Sequence, residues 1–263
     1  KQPLQMVFKA LHHVNGLYDP LDPNSDFRSI LDRMLSLYPV PTISYRIEPG
    51  YITRPQVVFF PPGVEQRSFA IPDHDDMAIA MVLEAQILSQ GSLAAGPHWV
   101  GMFPNYMDSK SGKAPIGGRG LGETLDSLPG FISDILDIVT VPTTAQTRAS
   151  WVKMVSGMGS SNNPNVGGFT MAHEIGHNLG RFHIPTDPNG GGNPKGPYDT
   201  HNYPRRAFSY IDQDMTRTDT VFGFDGLLRI PVSPARAADL MSGKRRQWIT
   251  VDTYMALMAA LPD

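Results

Sequence analysis

The chain has 263 residues, and 22 Lys+Arg against 25 Asp+Glu give a net charge of −3 at neutral pH. That balance provides no basic field for a nucleic-acid partner. There is no cysteine, which excludes a disulfide framework and thiolate metal sites, so any metal must be held by nitrogen or oxygen.

The predicted elements begin with Leu4 to Leu11, an apolar run read as a strand, followed by a helix over Ser25 to Tyr38 with a Ser or Asp cap. Pro39 and Pro41 end that helix, and Thr42 to Ile47 is the next strand. Val57 to Phe60 is a short apolar run of open type. Asp73 to Leu88 reads as a second helix, acidic in its first turn as the helix dipole favours. Its richest stretch, Met77 to Leu88, is broken by Glu84 and Gln86, and no apolar run reaches the length of a membrane span. Trp99 to Phe103 is a buried strand candidate. Pro115 to Gly122 is glycine-rich and ambiguous. Ile132 to Val141 and Trp151 to Val155 are further apolar runs, the second a strand just before a helix expected from Gly168 to Leu179. On that helix Phe169, Ala172, Ile175, Gly176 and Leu179 make the core stripe. The chain then turns to loop for a long stretch and ends in an amphipathic helix over Thr250 to Leu261. Strands and helices that alternate in this way predict an α/β (α+β) protein with a twisted mixed sheet backed by helices. The expected organisation is a single domain over 1–263, with an N-terminal lobe to about 180, a looser C-terminal lobe from about 181, and a cleft between them.

The most informative segment is His173-Glu174-Ile175-Gly176-His177-Asn178-Leu179-Gly180-Arg181-Phe182-His183, which reads H-E-x-x-H-x-x-G-x-x-H. His173 and His177 stand one helical turn apart on one face, so both rings can bind one zinc. Gly180 can take the left-handed conformation that ends a helix and turns the chain, which brings His183 in as third ligand. The fourth position stays open for water, as in a catalytic rather than a structural zinc site. Glu174 is placed to reach that water without binding the metal. A chance match is remote: with 8 His and 25 Gly in the chain, the pattern arises with a probability on the order of 1 in 100,000.

These residues resemble the metzincin clan of zinc endopeptidases, secreted bacterial type, which pairs this motif with a methionine in a tight turn beneath the metal. Ala238-Asp239-Leu240-Met241-Ser242-Gly243 is similar to that turn, and Trp248-Ile249-Thr250 and the terminal helix follow it. Gly168 to His173 and Gly223-Phe224-Asp225 match more loosely. The resemblance implies a five-stranded sheet with two long helices, a catalytic zinc, and hydrolysis of peptide bonds in extended polypeptides. It also implies export, although the chain begins at Lys1 with no visible signal peptide, as a processed product or an excised piece would. In that fold an edge strand binds substrate by strand addition, and Ile116 to Leu121 is the candidate, the alternative being a flexible loop. Some metzincins place a tyrosine two residues after the methionine. Here that position is Gly243, which leaves oxyanion stabilisation to zinc or another donor. His201, Tyr203 and Arg205 are candidates for that donor, or are plain surface residues.

In the implied mechanism Glu174 takes a proton from water as the water attacks the scissile carbonyl, then passes it to the leaving amine. Met241 packs under the imidazoles. The ring N–H groups need acceptors, for which Asp239 or Asp225 can serve. Lys244-Arg245-Arg246 forms either a basic specificity pocket or a solvated charge run. The loop from Asp187 to Tyr203, with Asp187, Asn189, Asn193 and Asp199, offers oxygens to calcium or is simply glycine-rich. Two other functions fit the motif: a zinc-containing binding or adhesion module of a larger surface protein, and a non-peptidase zinc amidase.

Overall fold

A computed structural model describes residues 1–13, 16–23, 25–52, 82, 86, 96–104, 118–120, 149–154, 166–181, 223–232, 238–241, 247–249 and 251–263. The sheet is built on β1 (Leu4–His13). It lies between two parallel neighbours, β3 (Ile43–Ile52) on one side and β4 (His98–Pro104) on the other. Beyond β4 comes β6 (Ala149–Met154), again parallel, and then β5 (Gly118–Gly120), which runs antiparallel to β6. β2 (Gly16–Leu17) folds back on the last residues of β1 and completes a six-stranded sheet. The protein is therefore mixed α/β around a mostly parallel sheet. Six strands pair in this sheet, in the order β2-β1-β4-β6-β5 with β3 also on β1, where five were expected.

A parallel strand in mid-sheet is covered on both faces, which explains why Val7 and Leu11 are buried as well as Leu4, Met6, Phe8 and Ala10, while Gln5 is exposed and Lys9 half-buried. Leu4, Met6 and Phe8 are buried together with Val100 and Met102 of β4 against the helices. Val7, Leu11 and Trp99 alternate with them and are equally buried. Val82 and Gln86 are helical and buried; the rest of the helix expected over Asp73 to Leu88 lies outside the described residues, as do Val57 to Phe60 and Ile132 to Val141.

Two elements depart from their expected bounds for local reasons. β3 runs past Ile47 because Pro49 and Gly50 bulge out of the ladder, Lys9 of β1 pairing with Glu48 and Ala10 with Tyr51, and the Pro49 carbonyl accepts a hydrogen bond from Lys9 Nζ at 2.6 Å. The first helix, α1 (Phe27–Leu35), is shorter than Ser25 to Tyr38. Asp26 sits at its N-cap position without capping it, and its Oδ1 instead accepts a hydrogen bond from Tyr18 Oη at 2.8 Å. At the other end Ser36 Oγ donates to the Arg33 carbonyl at 2.7 Å, which closes the helix before Pro39 is reached.

α1 packs against α2 (Val166–Asn178), and the terminal helix α3 (Val251–Ala260) contributes Leu257 to the same core. No helix among the described residues is long and apolar enough to cross a membrane. A hairpin of β7 (Gly223–Asp225) and β8 (Ile230–Val232) is fastened to α1 by an ion pair, Arg33 Nη1 to Asp225 Oδ2 at 2.7 Å. These side chains are 1% and 7% exposed. The other carboxylate oxygen accepts the backbone N–H groups of Leu227 and Leu228, both at 3.0 Å, and so shapes the hairpin's tip. The Arg33 guanidinium also lies over the Phe169 ring of α2 at 5.3 Å.

Removing one partner of a buried pair strands the other charge, so Asp225→Ala is expected to cost about 3–5 kcal/mol in chemical denaturation. Asp32→Ala, which breaks the exposed Arg28–Asp32 pair on α1, is expected to cost less than about 0.5 kcal/mol. Equal losses in the two variants would contradict the tethering role.

Candidate metal centre

α2 carries the motif, and its end places the support for His177. Gly180 has φ +78°, and the helix closes with Arg181 N donating to the Gly176 carbonyl at 2.9 Å and Gly180 N to the His177 carbonyl at 2.8 Å. This paired closure across a left-handed residue is a Schellman motif, as the position of Gly180 predicts. It folds the chain back on the helix, so that the Arg181 carbonyl comes to lie 2.7 Å from His177 Nδ1. His173 Nδ1 lies 2.6 Å from a second backbone carbonyl, that of Leu240.

Those two contacts fix the chemistry of the rings. A carbonyl only accepts, so each Nδ1 carries the proton and donates it. In the neutral imidazole each Nε2 is then left with a lone pair. The two Nε2 atoms face each other at 3.1 Å, with the rings nearly perpendicular at 85°. Opposed lone pairs repel unless something positive lies between them. Two nitrogens bound tetrahedrally at 2.0–2.1 Å to one zinc stand about 3.3 Å apart, close to the spacing found. Glu174, only 5% exposed, brings a carboxylate oxygen into the same group, in which the candidate ligand atoms all lie within 4.8 Å of one another. His173, Glu174 and His177 together can hold a metal ion.

A floor supports the helix at this point. β9 (Ala238–Asp239) pairs with β10 (Gln247–Trp248), and Asp239 Oδ1 accepts the Met241 N–H at 2.8 Å, so the chain turns tightly at Met241. Met241 is fully buried. Its Sδ lies 2.6 Å from where a Cβ on Gly176 would sit. The glycine inside the motif is therefore a contact point for the thioether and not only part of a core stripe.

Asp239 and Asp225, the candidate acceptors for the ring N–H groups, do not fill that role. Both acceptors are backbone carbonyls; Asp239 shapes the turn and Asp225 pairs with Arg33. Backbone atoms carry no side-chain signature, although the chain reversal at Gly180 did indicate that a residue just past the helix would return to it. Gly176 had a readable signal, since a glycine in a helix interior costs about 1 kcal/mol and calls for a reason. His183 lies outside the described residues. So do Gly243, Lys244 to Arg246, His201, Tyr203, Arg205 and the proposed calcium loop from Asp187 to Tyr203.

No family model matches the chain, and no curated protein matches it. A side chain at position 176 must displace Met241, so Gly176→Ala is expected to lower the thermal midpoint by several degrees, with a ΔΔG of about 1–3 kcal/mol. Zinc uptake, measured by elemental analysis, is expected to fall with it. An unchanged midpoint would mean that Met241 does not bear on the helix.

Proposed function

We propose that this protein is a zinc-dependent endopeptidase of the metzincin kind, acting on extended polypeptides. The observation that carries the reading is the pair of facing Nε2 atoms, both rings locked by backbone carbonyls, beside a buried carboxylate. His173 and His177 supply two ligands and His183 the third. Bound there, zinc supplies a Lewis acid that makes water acidic near neutral pH and stabilises negative charge on a carbonyl oxygen.

The chain's own groups do the rest. Glu174, adjacent to the first ligand on α2, accepts a proton as water adds to the scissile carbon. It delivers that proton to the nitrogen as the C–N bond breaks. Its burial keeps it near the reacting atoms and away from competing solvent contacts. The neutral rings each keep a proton on Nδ1 and present Nε2, which preserves the ligand set through the cycle. Met241 holds the helix from below.

One feature of the sheet supports this substrate class. Among the described residues β5 pairs with β6 alone and α2 lies against both. In this reading an extended peptide adds to the other side of the Gly118–Gly120 strand, whose glycines let it approach closely. Export and the single catalytic domain belong to the same proposal.

Glu174→Gln is expected to cut peptide hydrolysis by about 10²–10⁴-fold while the chain keeps one zinc. Full activity in that variant would overturn the role of Glu174. Cleavage-site profiling of a peptide mixture, with and without a chelator, is expected to give cuts that vanish on chelation. A wild-type chain that binds zinc but cuts no peptide would point to the binding-module function instead.

A further inference from the structure

His173 is held at two points, and only one of them is its ring. The Tyr38 hydroxyl, at the end of the α1 segment, donates to the Ala172 carbonyl at 2.7 Å. That carbonyl belongs to the peptide group whose nitrogen is His173's own. The tyrosine is buried, and its oxygen is 3.8 Å from where a Cβ on Gly176 would sit, on the side of the helix that Met241 also abuts. Within α2 the same carbonyl faces Gly176, one turn on.

We propose that Tyr38 is a positioning residue for the first metal ligand. Its hydroxyl fixes the Ala172–His173 peptide plane while the Leu240 carbonyl fixes the imidazole, so that the ring cannot slide along or rotate about the helix. The inference rests on the metal reading above. The geometry is specific: a mid-helix carbonyl already has a partner in the helix ladder, so a phenol aimed at it adds orientation rather than rescuing an unpaired group. A planar ring with two rotatable bonds carries little freedom with which to lose that orientation. Burial pushes the Tyr38 phenol well above its ordinary range, and the nearby Glu174 charge pushes it further in the same direction. The hydroxyl is thus a donor throughout the neutral range.

The test is Tyr38→Phe in the full chain, which removes one oxygen and keeps the ring. Outer partners of metal ligands tune affinity by about 10–100-fold, and a residue acting one bond further out is expected to give about 3–10-fold. Zinc affinity, measured by chelator competition, should fall by that factor. kcat should fall with KM unchanged, and the visible spectrum of the cobalt-substituted protein should shift. Val7→Ala serves as the control, because Val7 is buried on the face of β1 turned away from α2. It should lower the thermal midpoint and leave zinc affinity and the cobalt spectrum unchanged. Placing 4-aminophenylalanine at position 38 restores a donor and should restore affinity, which also decides the matter should the phenylalanine variant fail to fold. A wild-type chain that takes up no zinc overturns the metal reading itself. A wild-type chain that binds zinc, with a Tyr38→Phe variant of equal affinity and identical cobalt spectrum, overturns this inference alone.

Discussion

Two imidazoles whose outer nitrogens are both committed to main-chain oxygens have no freedom left in how they present their inner ones. That constraint organises the region. The Arg181 carbonyl reaches His177 only because α2 ends in a Schellman turn at Gly180. The Leu240 carbonyl reaches His173 only because the chain turns at Met241 under the control of Asp239. Each ring is therefore oriented by a local backbone reversal, one from its own helix and one from a distant segment. Among the described residues the ring acceptors are main-chain oxygens rather than carboxylates.

The rest of the described structure brings those segments together. β1 pairs on both sides and gathers β3 and β4 from distant parts of the sequence. α1 packs beside α2, which itself lies against β5 and β6. From α1 Arg33 reaches Asp225 in the hairpin, and just beyond it Tyr38 reaches Ala172. The buried ion pair is costly to desolvate, and it earns its place through Asp225's second oxygen, which shapes the hairpin tip.

Much of this was legible in the residues. The apolar run of β1, the strand cores at Trp99 to Phe103 and Trp151 to Met154, the helix over the motif and its end at Gly180 all follow from periodicity and punctuation. What stayed hidden has physical reasons. β3 goes beyond the apolar stretch that ends at Ile47 because the ladder resumes past Pro49 and Gly50. Pro39 marks only the last possible end of α1, and Ser36 closes the helix earlier. A sequence writes side chains and not main-chain oxygens, so the acceptors of the His173 and His177 rings leave no mark in it. The partnership of Arg33 with Asp225 spans 192 positions and leaves no local trace.

The contact between His173 and Leu240 joins residues 67 positions apart. During synthesis the helix bearing the motif is complete well before residue 240 has been added. Until that later segment docks, the first imidazole has no carbonyl to select its tautomer and no methionine beneath it. A chain still being made, or one cut short ahead of the turn, thus carries His173 without the contact that orients its ring. The order of the sequence alone sets this delay, which lasts until residues 239–241 have docked.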